Sequence, residues 1–166
     1  MSLDLRTDLA TKLDGRICVI GIGGSEWGDD AFGVDLASSL EEAGCPDVIS
    51  AGGAPERLVG RIPQGNYDHI LLLDAVDYPG EPGSVVFLES SELKSRYPQV
   101  STHKLSLGSL AAALEYTTGA KIWLLGAKPF SLARAAGLSA GMKATSEALR
   151  ELLLELLSKR ELAADD

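Results

Sequence analysis

The run DHILLLDAV, Asp68–Val76, holds four consecutive apolar residues before its second aspartate and shows no polar alternation. RICVIGIG (Arg16–Gly23) and KIWLLGA (Lys121–Ala127) share that character. A strand apolar on both faces must be covered on both faces, so these runs predict the inner strands of a largely parallel sheet between helical layers. The intervening segments are long enough to supply those helices.

Helical spacing is visible at Leu3–Leu13 and at Asp30–Ala43, where Phe32, Leu36 and Leu40 share a face and Gly44 ends the run. Two more helices are expected at about Leu105–Tyr116 and Ser139–Arg160, and a helical turn at Glu56–Gly60. PDVISA (Pro46–Ala51) is a short second strand. SVVFLE (Ser84–Glu89) is joined to the third by only seven residues, DYPGEPG, too few for a crossover helix. It therefore returns antiparallel. The expected fold is α/β, a three-layer sandwich: five strands, mostly parallel with one antiparallel, and helices on both faces. No linker or repeat divides the chain, so residues 1–166 are expected to form a single domain.

Charge narrows the partners. The chain carries 24 acids against 15 bases, a net charge of −9, with no basic cluster. Such a surface repels nucleic acid and anionic membranes, so a neutral or cationic partner, or a metal ion, is expected. No apolar run approaches the roughly 20 residues of a membrane span. The opening residues lack a signal-peptide core, and Cys18 and Cys45 have no disulfide-framework or ligand spacing. A cytoplasmic protein is expected, with Cys18 a small core residue.

In parallel sheets, ligands sit beyond the carboxyl ends of the strands. The first such exit reads GIGGSEWGDDAFGV. It imitates the dinucleotide fingerprint, but Glu26 stands where the third glycine belongs, and the second strand ends in Ala51-Gly52-Gly53 with no ribose-binding acid. Adjacent acids at a helix start also repel a pyrophosphate. Capping accounts for one of Asp29 and Asp30, and Asp29 is read as the cap. Asp74 emerges from the central strand, a place taken both by structural aspartates bonded to loop amides and by functional ones. Asp77 reads as a turn residue before Pro79, and His69 as structural. His103 precedes a helix in STHKLSL.

Asp30, Asp74 and His103 together make a three-ligand site of mixed oxygen and nitrogen donors, suited to zinc, nickel, iron or manganese. Neither HExxH nor GxSxG occurs, so no zincin base or serine nucleophile is indicated.

Four motifs in order, GIGG-S-x-x-GDDAFGV, AGGAPE (Ala51–Glu56), LLLDAVD and STHKLSLG, resemble those of the maturation endopeptidases of nickel–iron hydrogenases. GGAPE and the STH segment are most similar to the branch that processes hydrogenases of the formate hydrogenlyase type. The resemblance implies a twisted five-stranded sheet and a cytoplasmic enzyme. It also implies a reaction: removal of a C-terminal extension from the hydrogenase large-subunit precursor after nickel insertion. By position it implies metal contacts, and so the catalytic residues, at Asp30, Asp74 and His103, and substrate recognition at Gly52 and Gly53. Nickel would be presented by the precursor, with zinc or cadmium as surrogates. Where the family usually has asparagine this chain has Gly24, so that residue's role is lost or passes to Ser25. The departure leaves open a second reading, a non-catalytic nickel-binding or docking protein in hydrogenase assembly. A generic metal-dependent peptidase is a third.

Overall fold

The computed structural model describes residues 3–96 and 106–164. Its strands are β1 (Ile17–Ile22), β2 (Val48–Gly52), β3 (His69–Ala75), β4 (Val85–Glu89) and β5 (Lys121–Ala127). They form one sheet in the order β2-β1-β3-β5-β4, parallel except for β4 against β5. The described helices are α1 (Leu3–Lys12), α2 (Phe32–Glu42), α3 (Ser90–Arg96), α4 (Leu107–Thr118) and α5 (Ala140–Ala164).

Side-chain alternation explains the unbroken apolar runs. Val19, Leu71, Leu73 and Leu125 face one layer, where they meet Leu9 of α1 and Leu13 just after it, Phe32, Leu36 and Leu40 of α2, and Met142, Leu149 and Leu153 of α5. Ile20, Leu72 and Leu124 face the other, with Leu93 of α3 and Leu107, Leu110 and Leu114 of α4. Each inner strand thus buries both faces, and no alternation could survive in its sequence. The three-layer expectation is correct.

Differences are local. The segment Asp30–Ala43 begins as a 3-10 turn, Gly28–Ala31, and becomes α-helical only at Phe32. The expected turn at Glu56–Gly60 is a 3-10 turn at Pro55–Leu58. Helix α3 was not expected. It is short and polar (SSELKSR), and only seven residues carry its pattern. At the start of β3, His69 is structural. Trp123 Nε1–H donates to its Nδ1 at 3.0 Å, which leaves Nε2–H to donate to the Asp14 carbonyl at 2.8 Å. No described helix is long and apolar enough to cross a membrane.

Candidate functional site

Strand order locates the site. From β1 the chain crosses to β2 on one side, and β3 then pairs on the other side of β1. Between β1 and β3 the winding reverses, and at such a switch point a crevice opens beyond the strand ends. Asp74, the penultimate residue of β3 and opposite Gly126 of β5, is fully buried. Asp30 follows β1, is half-buried, and its Oδ2 accepts the Gly24 N–H at 2.8 Å. The two carboxylates therefore leave neighbouring strands at one edge. A buried carboxylate is a strong attractor for any cation that reaches it, because little solvent screens the charge.

The glycines of the opening motif are what press Asp30's turn onto the sheet. A Cβ on Gly33 would stand 2.0 Å from the Leu73 carbonyl oxygen and 2.3 Å from that of Ile22. One on Gly21 would stand 2.4 Å from the Gly33 carbonyl oxygen, and one on Gly23 (φ +143°) 1.9 Å from that of Asp30. These positions serve close backbone approach between helix and strands, not a phosphate.

Asp29 departs from the sequence expectation. It does not cap the following helix: the residue before α2 is Ala31, with no side-chain cap. Asp29 is instead 1% exposed and aimed at a distant segment. Its Oδ2 accepts from Phe130 N at 2.9 Å, Ser131 N at 3.2 Å and Ser139 Oγ at 2.9 Å, and its Oδ1 from Ser139 N at 2.7 Å. Ser139 Oγ in turn accepts from Met142 N at 3.3 Å, at the start of α5. Main-chain bonds reinforce the junction: Gly28 N–H to the Ala135 carbonyl at 3.1 Å and Ala135 N–H to the Glu26 carbonyl at 3.0 Å. An acid at a helix start gives the same sequence signal whether it caps that helix or a remote one.

Burial pushes the Asp29 carboxyl upward, but its hydrogen bonds to Ser139, Phe130 and Ser131 outweigh that and hold it below the usual range. A group with a lowered native value stabilises the fold fully above its unfolded value, about 3.9, and loses that contribution as pH falls through the native value. Asp29→Asn should therefore lose about 1–3 kcal/mol at pH 7, with the difference from the parent shrinking below about pH 4. Urea midpoints of both proteins at pH 7 and pH 3 measure it. A difference that does not change with pH contradicts the assignment.

The other candidates divide clearly. Gly52 takes φ +65° at a β-bulge, where the register passes from Gly21 opposite Ser50 to Ile22 opposite Gly52, so its backbone requires glycine. Gly53 is different. It has no positive φ, is exposed, and a Cβ there would meet nothing within 4 Å. Both glycines line an open cleft of about 530 Å³ with Gly23, Gly24, Trp27 and Ser50. Trp27, half exposed at 50%, is a site residue that the sequence motifs do not mark by function, although a tryptophan inside a polar glycine loop is itself a signal of a binding wall. A Cβ on Gly24 would lie 3.2 Å from Trp27 Cδ1 and 3.4 Å from Asp30 Oδ2, so any side chain here would stand directly beside Asp30. Ser25 lines the same cleft.

His103 and most of the STHKLSLG motif lie outside the described residues. Among the described residues, no group of three or more His, Cys, Asp or Glu side chains is arranged to hold a metal ion. Asp77 is an exposed turn residue, paired with Lys128 at 2.8 Å. Burial, with a smaller contribution from Asp47, pushes the Cys18 thiol up to about 12, which suits a core residue and not a nucleophile.

Comparison with known proteins agrees with this arrangement. The family model described as hydrogenase maturation protease, HycI, matches residues 34–156, a stretch that contains Gly52, Gly53, Asp74 and His103 and begins just after Asp30. The hydrogenase 2 maturation protease of Escherichia coli K12 is 32% identical over 132 residues, 75% of this chain and 79% of the relative. A crystal structure of the [NiFe] hydrogenase maturation protease HycI from Thermococcus kodakarensis KOD1 superimposes with a TM-score of 0.80 at 34% identity, covering 93% of this chain and 99% of that one. The hydrogenase maturating endopeptidase HybD of Escherichia coli gives 0.68 at 28% identity, over 87% and 93% of the two chains. With the sheet, the glycine-packed opening turn and the family match in agreement, the chain belongs to the hydrogenase maturation protease family.

Proposed function

We propose that this protein is the endopeptidase that removes the C-terminal extension of a nickel–iron hydrogenase large-subunit precursor once nickel has been inserted. The reaction takes place in the cytoplasm. Nickel is part of the substrate: the precursor brings it, and Asp30, Asp74 and His103 engage it. Two carboxylates and an imidazole are hard and borderline donors suited to such a divalent ion. A divalent ion at this edge supplies charge stabilisation for the scissile carbonyl. The chain's own residues do the rest. Asp30 is oriented by the Gly24 N–H, Asp74 is fixed at the end of β3, and Gly53 gives the peptide main chain room beside them.

The observation that supports this reading is topological: Asp30 follows β1 and Asp74 lies at the end of the adjacent parallel strand β3, while Gly24, whose N–H donates to Asp30, lines the glycine-rich cleft. Purified protein incubated with nickel-loaded precursor should shorten it by its C-terminal tail, and nickel-free precursor should stay intact, as read by mass spectrometry. Tight binding with no shortening of either form would establish the docking reading instead. Gly53 refines the test. Because nothing inside the fold needs a glycine there, Gly53→Ala should keep stability or raise it by about 0.4–1 kcal/mol. Processing should nevertheless fall about tenfold or more, because the methyl group intrudes on the approaching peptide.

A further inference from the structure

Strand β2 forms one edge of the sheet. Val19 pairs with Val48 in parallel register, and the Val19 N–H donates to the Asp47 carbonyl at 2.9 Å. In a parallel ladder this register turns the main-chain groups of Asp47, Ile49 and Ala51 toward β1. It leaves the N–H and C=O of Val48 and Ser50 directed outward. Natural sheets blunt such edges with charge, proline or a covering element. The five residues of β2, VISAG, contain neither charge nor proline, and Ser50 is exposed. The start of the strand is fixed from behind, where the Tyr67 hydroxyl donates to Asp47 Oδ1 at 2.7 Å.

Among the described residues no further strand pairs with this edge, and it runs into the candidate site. Ser50, Gly52 and Gly53 line the same cleft as Gly24 and Trp27, and Gly24 holds Asp30. Gly53, at the end of the edge, has open space around its missing side chain and no conformational reason to be glycine. A strand laid along β2 would therefore pass Gly53 in close main-chain contact and arrive at the Asp30 edge.

We propose that β2 is an acceptor strand. The precursor segment carrying the scissile bond adds to its free edge in extended form, hydrogen-bonded to the main chain of Val48 and Ser50. Trp27 forms the opposing wall of the cleft. This inference rests on the reading of the chain as the precursor's endopeptidase. Strand addition takes its affinity from main-chain bonds and fixes the register of the incoming peptide. It thus sets which peptide bond reaches the carboxylates, while the side-chain sequence of the segment matters less.

The test uses steady-state processing of nickel-loaded precursor. Ser50→Pro removes an outward donor and sets a ring on the free edge, while the inward ladder through Ile49 and Ala51 keeps its groups. Ser50→Ala removes only the hydroxyl. Ser50→Pro should raise KM roughly tenfold with kcat changed less than about twofold, and Ser50→Ala, which keeps the outward N–H, should raise KM by a much smaller factor. An unchanged KM in folded Ser50→Pro overturns the proposal.

Hydrogen exchange on the unmodified protein makes the test independent of that variant's folding. Saturating precursor should slow exchange across Val48–Gly53 and leave β4, the opposite edge, unaffected. Unchanged exchange at Val48–Gly53 overturns the acceptor strand. Failure of the endopeptidase reading looks different, because the tail then remains uncut by the unmodified protein whatever β2 does.

Discussion

If the proposed function holds, replacing Asp30 with alanine should lower processing of the nickel-loaded precursor to about one-thousandth or less while the protein stays folded. The carboxylate is half-buried, and its Oδ2 accepts the N–H of Gly24, a residue of the cleft lining six positions away. Its removal leaves the core layers intact. Asp74→Ala and His103→Ala should have comparable effects on processing. Asp74→Ala also deletes a fully buried carboxylate, so its thermal midpoint must be measured beside its activity. Asp77→Asn is the control: that side chain pairs with Lys128 at the surface and should change processing little. A normal rate in any one of the first three variants removes that residue from the site.

The largest effect on stability is expected at Gly33, a residue with no chemistry of its own. Its Cα faces the carbonyl oxygens of Leu73 and Ile22, and an added methyl group would approach them to 2.0 and 2.3 Å. Backbone atoms of β1 and β3 cannot yield as a flexible side chain can, so α2 must lift from the sheet. Gly33→Ala should cost about 3 kcal/mol, at the upper end of overpacking penalties, and lower the melting temperature by roughly 10 °C. Activity should fall with it, because α2 carries the turn that holds Asp30. A midpoint equal to that of the parent would mean that helix and sheet are not in this contact.

How much of this was legible in the sequence depended on whether the cause was local. Strands β1, β3 and β5 were readable because burial on both faces writes itself as an unbroken apolar run. The antiparallel return of β4 followed from chain reach alone. Helix α3 was invisible because seven mostly polar residues carry too little periodicity. The end of β2 was set by a bulge at Gly52, which no alternation pattern announces. In the site, Asp30 and Asp74 could be placed at one edge by topology. The true partners of Asp29 lie 101 to 110 residues away, and separation of that kind leaves no local trace.

The packing of the opening glycines has a consequence for how diverging sequences should be sorted. Gly21, Gly23 and Gly33 answer to steric demands of helix and sheet, so a descendant that had lost all peptidase activity would still be obliged to keep them. Their presence marks common architecture and says little about turnover. Gly53 is under no such obligation. A chain that retained both carboxylates and replaced Gly53 would be the one to suspect of having changed its client.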